Sequence, residues 1–433
     1  MELHPSTVQR DDYLVSRRQA WFAFAMTFAL MLFDYMDRQV IVSLFPHLKA
    51  AWKLSDKELG ALVSVISMVV AVGGIPVAAV ADRFSRVRSI VVMGTVWSLA
   101  CIACMFARNY GQLFVARAAI GAGETGYGAV GGALISGLFP TRLRSVLMGA
   151  FFAAASLGSV LGVLLGGVIA ARYGWQAAFG VVGVPGLVLA LAYRWVPDYR
   201  TVGWQPEAAP SARPPGRFPA RILSTLRATP TLLWCCLGAA LQCNVIASIW
   251  GWMPSYLNRY LGLPTDQAAI QAAGIVLVGA LGTLFWSALI DRLALRRARA
   301  KIEAVALLCA LTAMVFVLAF AALPPGPAQV RLILVGGFLM TSLSGPITAV
   351  AYDVLHPGVR STGAAVLSLA QNLFGLATGA FLTGLISDLK DLQFALAVMP
   401  GFGLLAALAL LQASRSYEAD CGRVAGVRLQ VQD

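Results

Sequence analysis

Charged side chains are few in this 433-residue chain: Asp, Glu, Lys and Arg make up 12% of it, about half the share of an ordinary soluble domain. Apolar residues make up 59%, and mean hydropathy is +0.75. No soluble core could hide that much apolar surface, so lipid must solvate most of the chain. Histidine is scarcer still. His4, His47 and His356 all fall outside the long apolar runs, which excludes a histidine metal set or a histidine proton relay inside the membrane. Six of the seven cysteines lie in apolar stretches; Cys101 and Cys104 form a CxxC there, which reads as core packing and not as a redox or zinc site. No nucleophile–base pair stands out, so an enzyme is not expected. The net charge of +13 comes from basic residues that punctuate apolar runs without forming a basic face, which argues against nucleic acid. Gly121–Gly126 spells GxGxxG, but inside an apolar run with no preceding strand; close helix packing is expected, and no nucleotide.

What is abundant is length of apolar run. A membrane-crossing helix needs about 20 apolar residues. Such runs fall near 20–45, 59–81, 89–107, 111–138, 145–171 and 175–195, then 230–259, 267–290, 302–322, 328–353, 361–387 and 392–412. The pattern predicts an all-α membrane protein of twelve transmembrane helices in two six-helix bundles, 20–195 and 230–412. The chain is polar up to Arg18, and the long first run reads as a retained anchor. Between the halves, 196–229 is rich in proline and arginine and reads as a solvated linker, ending in an interfacial helix around Phe218, Ile222 and Leu226. Most of the 33 basic residues fall on the side that holds both ends and this linker. The positive-inside rule therefore places the tails 1–19 and 413–433 in the cytoplasm.

The halves echo each other. Asp82-Arg83 after the second run is matched by Asp291-Arg292 after the eighth, and Arg144-Ser145 by Arg360-Ser361. Internal duplication marks secondary transporters, whose halves rock about a midplane site. The stretch Asp82-Arg83-Phe84-Ser85-Arg86 resembles the loop motif of the major facilitator superfamily, with Ala78 where that family usually has Gly. Tyr35-Met36-Asp37-Arg38, Arg117, Gly121-Ala122-Gly123-Glu124 and Tyr127 further resemble the Spinster family. The resemblance implies a major facilitator fold of two pseudo-symmetric bundles, and proton coupling at the residues matching Asp37, Arg38 and Glu124. Asp34 stands where the Spinster family often has an uncharged residue. Animal members carry lysolipids and sphingoid lipids, so the resemblance also implies a lysolipid-like substrate.

Asp34, Asp37, Arg38, Arg117 and Glu124 lie within the apolar runs. Each costs about 2.5–3.5 kcal/mol at a helix centre even on a lenient scale, so mutual pairing around a polar cavity is expected. Asp34, Asp37 and Arg38 are spaced i, i+3, i+4 and share one face. At 1.5 Å per residue, Asp34 and Asp37 sit roughly 21 and 26 Å from the inner end of the first helix. Glu124 and Arg117, on the descending fourth helix, sit roughly 21 and 32 Å from the inside. Arg117 can then reach Asp37, and Arg38 can reach Glu124. Desolvation disfavours a carboxylate's charge while a neighbouring guanidinium favours it, and exchange of partners would couple that competition to protons.

The second half offers no intramembrane charge. Asn244 and Asn372 are its cavity candidates, with Arg38, Arg117 and Tyr127 opposite; Trp250 and Trp252 read as interfacial anchors. Gly158, Gly162 and Gly166 form a small-residue ladder repeated by Gly375 and Gly379, expected at close helix contacts. Asp82, Arg83, Arg86, Asp291, Arg292, Asp353 and Arg360 are candidates for a cytoplasmic latch between bundles. The expected function is proton-coupled transport of an amphipathic lipid-like or organic-ion solute by a monomer in the bacterial cytoplasmic (inner) membrane, with protons as coupling ion and no cofactor. The alternatives are transport of a small hydrophilic anion such as a sugar acid, clamped by Arg38 and Arg117, and a non-transporting sensor.

Overall fold

The computed structural model of the chain describes residues 13–83, 85–198, 229–294, 297, 299–355 and 360–424. Most of the linker and both extreme tails lie outside the described residues, as do the side chains of Asp82, Arg83, Arg144 and Arg360. The first half comprises α1 (Arg17–Trp52), α2 (Asp56–Arg83), α3 (Arg86–Met105), α4 (Tyr110–Glu124), α5 (Tyr127–Leu138), α6 (Thr141–Tyr173) and α7 (Trp175–Ala192). The second comprises α8 (Pro230–Leu261), α9 (Thr265–Ala294), α10 (Ala300–Val317), α11 (Pro327–Met340), α12 (Ser344–Asp353), α13 (Arg360–Gln371), α14 (Ala377–Leu389), α15 (Leu392–Val398) and α16 (Gly401–Val424).

Among the described residues, eleven helical spans are long and apolar enough to cross a bilayer on their own. The twelfth crossing is α4 with α5, and its shortfall has a local cause. Thr125 is extended (φ −61°, ψ 117°) and Gly126 adopts φ 85°, so the unbroken helix expected over 111–138 is interrupted at mid-span. Gly126 supplies the left-handed conformation that a side chain disfavours. The Thr125 hydroxyl donates to the Gly121 carbonyl at 2.6 Å, covering one of the carbonyls the break leaves over. The fourth crossing of the second half is broken at the corresponding position, between α11 and α12, where the Thr341 hydroxyl donates to Gly279 O at 2.6 Å. Interrupted helices at corresponding positions of two repeats point to the place where a transporter binds its solute.

The glycine ladders do what their spacing predicts. A Cβ at Gly158, Gly162 or Gly166 of α6 would run into the carbonyl oxygens of Leu32, Met36 and Val40 on α1, one contact per turn. In the second half, Gly375 and Gly379 press on Ala240 and Asn244 of α8 in the same way. Where lipid tails are as apolar as leucine, such close backbone approach is what holds helices together.

Two features depart from the expected boundaries. α16 continues to Val424, well past 412, and its end is pinned: the Thr231 N–H donates to Asp420 at 3.0 Å and Arg299 meets Glu418 at 2.6 Å. Trp252 is no interfacial anchor. It is fully buried, its indole N–H donates to Ala380 O at 3.0 Å, and its ring lies 5.0 Å from Phe45 of the other half.

Gly162→Val tests the ladder. The added bulk must push α6 off α1, and overpacking of this kind costs about 1–3 kcal/mol, or more where backbone is the neighbour. The expected outcome is a lower melting temperature of the purified protein, with Ala at the exposed Gly149 as an unaffected control; an unchanged melt would refute the tight contact.

Candidate functional site

The five charges expected at membrane depth come together. Asp37 and Arg117 are fully buried, and Arg117 Nη1 reaches Asp37 Oδ2 at 3.3 Å and the Asp37 carbonyl at 3.2 Å. Arg117 Nε donates in addition to Leu62 O at 3.3 Å, and the Cys101 thiol donates to Asp37 Oδ1 at 3.0 Å. That pair is fully buried, with Arg117 Nη2 left without a hydrogen-bond partner among the described residues. Arg38 Nε lies 2.9 Å from Glu124 Oε2 and 3.7 Å from Asp34 Oδ2. Its guanidinium sits over the Tyr35 ring at 5.2 Å and keeps 19% of its side chain exposed, whereas the Glu124 side chain has none.

Local sequence explains the convergence. Asp34, Asp37 and Arg38 share one face of α1, and Arg117 and Glu124, two turns apart, share one face of α4. Gly121 lets α4 approach α2 at Ile66, and Gly123 lets it approach α3 so closely that a Cβ would sit 2.5 Å from the Trp97 backbone nitrogen. The glycines of the GxGxxG string therefore serve helix packing and a helix break.

Other candidates are placed differently. Tyr127 is buried, and its hydroxyl donates to Thr27 O at 2.7 Å. Asn244 is buried between α8 and the α13–α14 helix, donating to Ala240 O (3.1 Å) and Phe374 O (2.7 Å) and accepting from Thr378 (3.0 Å). Both hydrogen bonds hold helices together, and Tyr127 also lines a small cavity beside Asp34 and Glu124. Asn372 is half-buried and donates to Ser368 O at 2.9 Å within its own helix. Among the latch candidates, Asp353 is engaged inside its own half, by Lys301 (3.3 Å) and the Tyr417 hydroxyl (3.0 Å). Asp291 and Arg292 are exposed at the end of α9, and Arg86 opens α3.

A second ionic centre was missed by the sequence reading. It lies where α1 passes to α2, the end of the bundle away from the N-terminus. Asp56 accepts a two-pronged contact from Arg259 of α8 (2.6 and 2.8 Å), one bond from Lys49 (2.6 Å) and one from Ser387 of α14 (2.5 Å). Asp388 accepts the backbone N–H groups of Asp56 and Lys57, both at 2.7 Å, so a carboxylate of the second half caps a helix of the first. Gly60 and Gly384 allow backbone contact between α2 and α14 on either side of this lock. A signal was available. Ser55-Asp56-Lys57-Glu58 is a capping box marking the start of α2, and Lys49 and Arg259 are basic residues on the side the charge bias disfavours.

The apolar core agrees with a seal at that end. One cluster runs from the first half into the second at Ile249, Trp252, Tyr256 and Ile275, while residues toward the other end of the second half, around Cys235, Val305 and Ile347, form their own cluster.

Two repeats of six crossings, helices broken at corresponding positions and a buried charge cluster define a polytopic membrane transporter. The chain belongs to the major facilitator superfamily, whose sequence profile matches residues 27–377. It is 28% identical over 424 residues to a gallate transporter of Pseudomonas putida, covering 90% of this chain and 91% of that one. It is 26% identical to a sphingosine-1-phosphate transporter of Danio rerio, covering 82% and 73%. Its fold matches a solved bacterial homologue of the human lysosomal transporter Spinster in an inward-facing, unoccupied conformation: TM-score 0.82, 21% identity, 94% and 99% covered. The Spinster-like marks read from the sequence thus sit on a Spinster-like fold.

Arg259→Gln and Asp388→Ala each remove part of the distal lock and should weaken the closed state at that end. The expected shift is about tenfold, roughly 1.4 kcal/mol, in the population with the distal end open. Electron-spin distances between labels at exposed Lys57 and Gln267 would report it; a distribution identical to the parent in both variants would rule out the lock.

Proposed function

We propose that the chain is a proton-coupled secondary transporter of an organic solute with an anionic head and an apolar body. It works by alternating access as a monomer in the bacterial cytoplasmic (inner) membrane, with both termini in the cytoplasm. The observation that carries this reading is the buried cluster of three carboxylates and two guanidiniums in which Arg38 alone keeps a partly exposed face. Buried carboxylates beside arginines are groups whose protonation a change of partner can switch. An anionic head drawn to Arg38 would compete with Glu124 for it, which links solute to proton. The second half supplies neutral walls to accommodate an apolar body. On the orientation set by the charge bias, the sealed end is the outer one and the state is inward-facing.

The relatives transport solutes of both kinds considered from the sequence: an aromatic acid for one, a phosphorylated sphingoid lipid for the other. A small hydrophilic anion such as a sugar acid, clamped between Arg38 and Arg117, fits less well, because Arg117 already meets Asp37, its carbonyl and Leu62 O. Uptake into reconstituted vesicles, with radiolabelled gallate, a sugar acid and a lysophospholipid as probes, separates these classes; a protein that moves none of them and no other organic anion would be a sensor.

Coupling is tested with Asp37→Asn and Glu124→Gln in vesicles. A neutral amide resembles the protonated acid, so exchange of solute down its own gradient should persist. Accumulation driven by a pH gradient should fall to the level of that exchange. Undiminished accumulation in both variants, shown folded by their melting curves, would remove the proton assignment.

A further inference from the structure

The charge count within the cluster does not balance. Asp37 and Arg117 neutralise each other and have further partners of their own. What remains is Arg38 between two carboxylates, Glu124 at 2.9 Å and Asp34 at 3.7 Å. Two carboxylates and one guanidinium, all at membrane depth, leave one negative charge over. A charge so placed is costly, and a buried acid takes up a proton when its neutralisation is incomplete.

A second, independent observation lies beside these two acids. Asp34 and Glu124 both line a cavity of about 10 Å³, together with Leu30, Gly94, Trp97, Gly123 and Tyr127. That is about the smallest space that holds one water molecule, which also needs two to four polar partners. The partners are present: neither Glu124 oxygen has a well-formed hydrogen bond, and the buried Trp97 indole N–H has no acceptor among the described residues. Most other titratable or charged groups around the pair already have partners, although Arg117 Nη2 has none among the described residues. On α1, Tyr35 lies under Arg38, and Asp37 is held by Arg117 of α4. Of the α3 thiols, Cys101 is bonded to Asp37 and Cys104 is buried. The Tyr127 hydroxyl donates to Thr27 O, and Tyr193 meets the Thr27 hydroxyl at 2.7 Å.

We propose that Asp34 and Glu124 share one proton through a water molecule held in the cavity that both line, with Arg38 as counter-ion to whichever carboxylate is ionised. The transfer is balanced: the protonated carboxyl gives its proton to the water, the water gives one of its own to the other carboxylate, and Arg38 turns to the newly charged group. Arg38 is the group of the cluster with an exposed face, so its position decides which acid holds the proton. The proposal rests on the proton-coupled reading above and deepens it by making Asp34 one of the two groups that hold the transferable proton.

Infrared difference spectroscopy on the full-length protein in lipid nanodiscs reads the proton directly, as the C=O stretch of a protonated carboxyl that shifts on exchange into D2O. The wild type should show one such band at neutral pH. Asp34→Asn and Glu124→Gln should each abolish it, since each leaves one carboxylate for one guanidinium. Asp37→Asn combined with Arg117→Gln, which removes one charge of each sign and leaves two carboxylates for Arg38, should keep it. A band that survives Asp34→Asn, or its absence from the wild type, would overturn the shared proton, and the first of these needs no Asp37 variant to fold. Coupling has its own readout in the pH dependence of the Lys57–Gln267 label distance. Distances that respond to pH without a carboxyl band would sink the shared pair and leave coupling standing. A band without pH-dependent distances would do the reverse.

Discussion

A charge taken to membrane depth must be neutralised where it sits, and most of the first half is arranged around that constraint. Three carboxylates and two guanidiniums fall on two helices, α1 and α4, whose opposite directions interleave the signs at one level. The neutralisation works only if those helices come close. The glycines of α6 bring it against α1, and Gly121 and Gly123 bring α4 against α2 and α3. The break after Glu124 belongs to the same arrangement. It ends α4 at the acid, and the chain resumes as α5 at Tyr127. Replacing a buried ion cluster by well-packed hydrophobic residues is often neutral or stabilising, so stability by itself does not account for this one.

The distal lock obeys different physics. It lies at the bundle's end, joins the two halves, and saturates one carboxylate, Asp56, with bonds from α1, α8 and α14. Such a lock favours one arrangement of the halves because it must be broken all at once for that end to open. The apolar core follows the same division, being continuous across the halves near the lock and divided away from it. Two arrangements that bury different surfaces are what a rocking transporter needs, since packed interfaces are bistable and do not deform continuously.

The sequence made much of this legible, and the reason differs by feature. The spans could be counted because lipid imposes a length on every crossing, and the pairs Asp37–Arg117 and Arg38–Glu124 could be matched because helical rise converts residue number into depth. Hydropathy, however, is blind to a break that needs two residues. Thr125 and Gly126 are as compatible with a helix as with its interruption until tertiary packing decides. Asn244 and Trp252 illustrate the other limit. An amide or indole in an apolar helix has the same spelling whether it faces a cavity, a lipid headgroup or a neighbouring backbone, and here both donate to carbonyls of the 372–389 segment. The lock was missed because Asp56, Arg259 and Asp388 are more than a hundred residues apart and each sits at a helix end, where a charge is unremarked.

The asymmetry of the halves has a mechanistic consequence. All five charges of the cluster belong to one half, so rocking that half as a body leaves their mutual distances unchanged. Rocking alone cannot move a proton among them. What can is a ligand or an opposing surface that reaches the cluster from the cavity side, and Arg38 is the member with a face exposed to be reached. An anion at Arg38 weakens its hold on Glu124 and Asp34, and an acid that loses its counter-ion in a low-dielectric site takes up a proton. On the proposed function, binding and protonation would then favour each other through a single guanidinium, a coupling that reciprocity requires to run both ways. Among the described residues the other half sets no charge against the cluster, so the anionic head group of the proposed solute would meet one cation, and the solute's orientation would follow from that contact.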